Sequence, residues 1–183
     1  MSGEPPPRNK SALRENLESI LWAVTLALVI RTFIMAPFKI PSGSMRPTLL
    51  EGDRILVSKI VYRFRQPQRG EIVVFRFPED PKRPFIKRLI AVGGDKAEIR
   101  DGRIWINGQL CESPMIRDTY YYNQGQYGQE GEPVDVPAGS FYVLGDNSAS
   151  SHDSRFWGFV SRPLVIGKAV CIFWPPWRIR ILH

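Results

Sequence analysis

The chain has 183 residues, 43% of them hydrophobic, and a formal charge of +7 from 25 Lys and Arg against 18 Asp and Glu. That suits one globular domain with an appendage, and the basic surplus suggests a polyanionic partner, either nucleic acid or an anionic membrane surface. Cys111 and Cys171 are too few for a disulfide framework, the two histidines (His152 and His183) leave no metal cluster, and no basic run interleaved with aromatics marks a nucleic-acid binder.

Residues 1–18 are polar, contain Pro5-Pro6-Pro7 and read as a cytoplasmic tail leading into a helix. Ile20 to Ile30 carry no charge. So short a run also fits a buried core helix or the apolar part of a signal peptide. A small-residue cleavage site is poor here, however, and residues 19–36 at 1.5 Å rise span roughly 27 Å, about one hydrocarbon core. Trp22 sits near one end as an interfacial anchor, and Arg31 near the other can snorkel to head groups. The expectation is a transmembrane anchor over 19–36. Arg8, Lys10 and Arg14 favour a cytoplasmic N-terminus, while Arg31, Lys39 and Arg46 pull the other way, so charge alone does not fix the orientation.

After Pro37 the pattern changes to short alternating runs with turn signals. Strands are predicted at 54–59, 71–76, 85–91, 103–106, 141–144, 165–173 and 179–182. Asp101-Gly102 and Asn107-Gly108 bracket the fourth, so hairpins are expected on both sides of it. The predicted fold is mainly β: an antiparallel barrel or sandwich over 37–183, preceded by one transmembrane helix. Residues 119–133 are rich in Gln, Gly and Tyr with no period, and read as a surface loop or small hairpin within a small insert at about 107–137.

The chemistry centres on Ile40-Pro41-Ser42-Gly43-Ser44-Met45-Arg46-Pro47-Thr48-Leu49 and, downstream, Phe85-Ile86-Lys87-Arg88. A Ser–His–Asp triad needs a histidine. Ser151, His152 and Asp153 are consecutive, so their side chains diverge in extended chain and cannot form a triad together. His152 acting on Ser44 stays open. A serine is otherwise activated by an amine, and burial lowers the lysine pKa from its ordinary value near 10.4 by up to about 3–5 units. In a strand, Lys87 and Arg88 face opposite ways, so one of them must turn inward or into a cleft.

Residues 40–49 resemble the nucleophile box of type I signal peptidases, membrane-anchored enzymes that remove signal peptides. The resemblance extends through Glu51-Gly52-Asp53-Arg54, Arg69-Gly70-Glu71-Ile72-Val73-Val74-Phe75, Phe85-Ile86-Lys87-Arg88 with Gly94-Asp95, and Leu144-Gly145-Asp146-Asn147 with Ser151, Asp153-Ser154-Arg155 and Trp157-Gly158. It implies Ser44 as nucleophile and Lys87 as general base. It also implies an oxyanion hole from the Ser44 N–H and the Ser42 hydroxyl, with Ser151 orienting the lysine and Asp146, Asp153 and Arg155 as an ion-paired support. Ser150 is a rival to Ser151, because Ser148-Ala149-Ser150 replaces a common Arg-Asp-Asn. Phe38, Ile40, Met45 and Ile86 would line shallow pockets for the small residues of an Ala-x-Ala site, with the substrate docked as an added strand. No cofactor or metal is implied. Expected partners are preprotein signal peptides and anionic lipid, near the export translocon, on the trans side of a plasma membrane or a thylakoid membrane. The competing readings are a self-cleaving serine–lysine repressor, a mitochondrial inner-membrane peptidase, a catalytically silent membrane-anchored binder and a basic nucleic-acid binder.

Overall fold

The computed structural model describes residues 12–29, 31 and 34–182. In chain order the elements are α1 (Ala12–Val29), β1 (Met35–Lys39), β2 (Arg54–Ser58), α2 (Val61–Phe64), β3 (Ile72–Arg76), β4 (Pro84–Val92), β5 (Lys96–Arg100), β6 (Arg103–Ile106), β7 (Gln109–Leu110), α3 (Pro114–Arg117), β8 (Val134–Asp135), β9 (Ser140–Leu144), α4 (Ser154–Trp157), β10 (Val160–Ser161), β11 (Val165–Trp174) and β12 (Arg180–Ile181). Antiparallel sheets dominate, as expected from the short alternating runs.

The larger sheet runs β1-β2-β11-β3-β4-β9-β10, with β12 added to β11. β3 lies at its centre, and its run Ile72-Val73-Val74-Phe75 is buried on both faces. A strand covered on both sides needs such a continuous apolar run. The register slips between Ala169 and Cys171, between Ile172 and Trp174, and between Leu89 and Ala91. Each slip bends its strand, and together they curl the sheet. The smaller sheet runs β7-β6-β5-β8. Its hairpins turn at Asp101-Gly102 (φ 50° and 72°) and Asn107-Gly108 (φ 53° and 80°). Positive φ at both central residues makes these type I′ turns, whose twist suits the hairpins expected there. Ile90, Ala91, Tyr142 and Leu144 of the large sheet pack with Ile99 and Ile104 of the small one, joining the two.

Several elements differ from the sequence expectation. α1 begins at Ala12, within the segment read as tail, and an Arg14–Glu18 pair at 3.1 Å supports its first turns. Among the described residues no helix is long and apolar enough to cross a membrane. Side chains from Arg14 to Val29 are exposed, including Trp22 and Leu21. The remainder of the tail at 1–11, positions 30, 32 and 33 of the expected anchor, and His183 lie outside the described residues. Met35 and Ala36, the last residues of the expected anchor, instead open β1, which pairs with β2 from Met35↔Ser58 to Lys39↔Arg54. Residues 119–133 are irregular, as expected, but firmly attached. Tyr121 is fully buried, its N–H donates to Gly102 O (2.9 Å), and Tyr142 Oη donates to Tyr127 O (2.6 Å).

Candidate active site

Ser44 sits in a single 3-10 turn, Gly43–Met45, between β1 and β2. Met45 and Leu49, both fully buried, pin the turn to an apolar cluster shared with Ile40 and Ile55. From the other side Asn147 N donates to Ser44 O (3.1 Å) and Asn147 Nδ2 to Gly43 O (3.0 Å). The serine is therefore held by apolar packing beneath and by the backbone after β9 above.

β4 delivers Lys87. Its Nζ lies 2.6 Å from Ser44 Oγ in a buried setting, with the Phe85 ring centroid 5.7 Å away. Burial lowers the Lys87 pKa to about 8; the carboxylates of Asp153 and Asp146 pull it up, and Arg155 pushes it down further. Desolvation of the charged form wins over two acidic neighbours because those acids are already neutralised by their own arginines.

Arg88, the next residue, projects from the opposite face, and it too is buried. Its Nε donates to Asp146 Oδ1 (2.8 Å), its Nη2 to Asp146 Oδ2 (2.6 Å) and its Nη1 to Gly70 O (2.6 Å). The expectation of one inward side chain at this pair is therefore too low. Both are sequestered: one sheds its charge at about pH 8, the other shares it with a carboxylate through a bidentate fork. Thr48 Oγ1 also donates to Asp146 Oδ2 (2.5 Å), tying the nucleophile loop to the same acid.

Asp153 and Arg155 are fully buried. Asp153 caps α4 and accepts from Gly145 N (3.0 Å). Arg155 donates to Asp153, Tyr122 O, Ser148 O, Ser148 Oγ and Ser151 O. The guanidinium thus braces residues 148–151 from within.

Ser151 is buried, and its Oγ has no hydrogen-bond partner. The expected bond to Lys87 is not formed. Ser151 instead crowds Gly145, where an added Cβ would stand 2.2 Å from Ser151 Oγ and 2.4 Å from Ser44 O. Gly145→Ala should therefore force the two serines apart. A displacement of about 1 Å at a reacting centre costs on the order of a hundredfold in rate. Peptide cleavage by folded Gly145→Ala should fall by about that factor; an unchanged rate would show that this spacing is irrelevant.

Ser44 and Lys87 line two clefts. One, of about 470 Å³, is lined also by Ser42, Arg46, Glu51, Asn147, Ser150 and His152. The other, of about 480 Å³, is more apolar, with Pro41, Pro84, Phe85 and Ile86. Of the predicted pocket residues Ile86 lines the second of these clefts, and Phe38, Ile40 and Met45 line neither. Ile40 and Met45 are sealed in the core, and Phe38 packs at its margin. Phe85 and the flanking prolines escaped the sequence reading, although Phe85 stands two residues from Lys87, on the same face of a strand. His152 is exposed and packs on Phe156, its ring centroid 5.2 Å away. Among the described residues no group of three His, Cys, Asp or Glu could hold a metal.

A serine and a sequestered lysine lie in direct contact on an antiparallel β scaffold, and residues 13–174 match the profile of the family described as signal peptidase, peptidase S26. The chain belongs to that family. It is a serine endopeptidase. Signal peptidase I of Leptolyngbya laminosa is 44% identical over 180 residues, covering 94% of this chain and 85% of the relative. Thylakoidal processing peptidase 1, chloroplastic, of Arabidopsis thaliana is 36% identical, covering 92% of this chain and 51% of the relative. Among solved structures, a signal peptidase I from Enterococcus faecalis shares 31% identity over 57% of this chain and 97% of its own, with a TM-score of 0.46. Within this S26 peptidase Ser42 is exposed, and its side chain caps nothing in the 3-10 turn that it precedes.

Proposed function

We propose that this peptidase is a membrane-anchored signal peptidase that cuts preproteins after Ala-x-Ala on the trans side, with Ser44 as nucleophile and Lys87 as general base. The observation that carries the reading is the 2.6 Å contact between Ser44 Oγ and a Lys87 amine whose pKa is lowered to about 8. A neutral amine accepts the serine proton as Oγ attacks the scissile carbonyl, then returns it to the leaving nitrogen. The Ser44 N–H and Ser42 hydroxyl would meet the oxyanion, whose charge exists only after attack. Ser151, whose buried hydroxyl has no partner, would orient the amine as it loses its proton. Asp146, Asp153 and Arg155 support the site without touching substrate.

Docking follows from β4. Pro84 to Lys87 pair with β3 on one side, whereas β9 pairs only from Arg88 onward. That leaves a strand edge facing the apolar cleft, where an extended signal peptide adds a strand. The shallow walls of Pro41, Phe85 and Ile86 favour alanine-sized side chains. The apolar stretch of α1 would serve as the anchor. A cytoplasmic N-terminus then puts the β-domain across the plasma membrane, or the thylakoid membrane, near the export translocon and against anionic lipid.

The test is cleavage of a preprotein with an Ala-x-Ala junction in detergent. Ser44→Ala and Lys87→Ala should each lose at least about a thousandfold in kcat/KM, while His152→Ala keeps its activity. On the acidic side kcat/KM should rise with pH through about 8, following Lys87. Full activity in Lys87→Ala, or loss in His152→Ala alone, would overturn the lysine base.

A further inference from the structure

One groove, of about 400 Å³, lies away from the proposed catalytic pair. Lys59, Arg63, Arg76 and Arg162 line it, and no acidic residue does. Leu164, Val165 and Ile166 supply apolar lining. Arg162 is held in place by donating to Gln66 Oε1 (2.7 Å) and Tyr62 O. The nearby acid, Glu71, is already committed to Arg65 and Lys168. Phe64, between two arginines on α2, is 84% exposed. Four cations above an aliphatic lining, beside an exposed aromatic, match an amphiphilic phosphate better than a soluble one.

Position strengthens the case. Lys59 N donates to Ile34 O (2.8 Å), and Lys59 Nζ to Arg31 O (3.3 Å). Met35 opens β1 opposite Ser58, which in turn lies opposite Lys168, so the start of β11 at Val165 is at the end of the sheet where the chain comes in from α1. A bilayer holding that segment would meet this groove.

We infer that the groove formed by Lys59, Arg63, Arg76 and Arg162 binds the phosphate of an anionic phospholipid, with Phe64 dipping among the acyl chains. The groove docks the β-domain on the membrane at a point set by the anchor. The inference leans on the proposed anchor only for bringing the groove to a bilayer, and its test does not depend on cleavage.

The full-length protein, equilibrated in mixed micelles of equal phosphatidylglycerol and phosphatidylcholine, would be stripped of excess lipid and its retained lipid counted. The wild type should retain phosphatidylglycerol over phosphatidylcholine. Each cation at an anionic surface is worth about fivefold in affinity, so Arg63→Gln/Arg76→Gln should lower that preference at least about fivefold. Both side chains are exposed and neither lines a cleft at Ser44, and unchanged peptide cleavage in detergent would show that the variant is folded. Inorganic phosphate at millimolar concentration should not displace the lipid. No preference in the wild type, a preference preserved in the double variant, or displacement by inorganic phosphate would each overturn the lipid site. Loss of cleavage by the wild type would instead count against the proposed activity alone.

Discussion

Lys87→Met should abolish cleavage and yet make the protein harder to unfold at pH 7. The amine titrates near 8 in the folded chain against an ordinary 10.5. Between those values the unfolded chain holds more protons than the native one, so wild-type stability rises with pH across that window. Below it the native state carries a buried ammonium at a cost of about 3 kcal/mol, from the 1.36 kcal/mol per pH unit of linkage. Methionine fills similar space without charge. The variant should gain up to about 3 kcal/mol at pH 7, and that advantage should shrink as pH rises from 8 to 10.5. Urea unfolding at pH 7 and pH 10 reads both. A variant less stable than wild type at pH 7 would mean that Asp146 and Asp153 more than offset the burial.

The second large effect concerns Arg155. Its guanidinium, fully buried, satisfies Asp153 and three backbone carbonyls, at Tyr122, Ser148 and Ser151. Arg155→Met leaves the Asp153 carboxylate buried without its counter-charge and frees the backbone around the site. Breaking such a pair from one side costs about 3–5 kcal/mol, a large part of the stability of a domain this size. Arg155→Lys keeps the charge but loses the fork, and should recover only part of the loss. The denaturant midpoints of the two variants check this; a loss under about 1 kcal/mol for Arg155→Met would show that Asp153 finds another partner or water.

Strands β2, β3, β4, β6, β9 and β11 are legible in the sequence because each combines apolar periodicity or a solid apolar run with Gly, Asp or Pro punctuation at an end. β5 escapes because Lys96, Glu98 and Arg100 alternate with only two apolar residues, and β8 and β10 because two residues carry no period. β1 is hidden by its apolar Met35-Ala36, which continue the composition of the preceding helix. At the site, the residue types of Ser44 and Lys87 and the family resemblance draw attention to the pair, but their 2.6 Å approach depends on pairing between distant segments. The burial of Arg88 is invisible for the same reason: an arginine beside a lysine reads as solvated charge until Asp146, far along the chain, closes on it. Ile40 and Met45, apolar and close to the nucleophile in sequence, pack beneath it in the core, a burial that composition alone does not separate from a pocket wall.

β4 lies inside the sheet along half its length and at an edge along the other half, because β9 parts from it at Leu144 and Gly145 lets the chain swerve past the serine. An unfinished sheet of this kind recognises conformation before sequence. Any segment that completes it must arrive extended, with its own amide groups unengaged. A junction already wound into a helix or folded into a finished domain has nothing to offer that edge. Timing would then discriminate as sharply as alanine does: a precursor is open to this enzyme while its junction is still loose chain, and closes to it as folding proceeds.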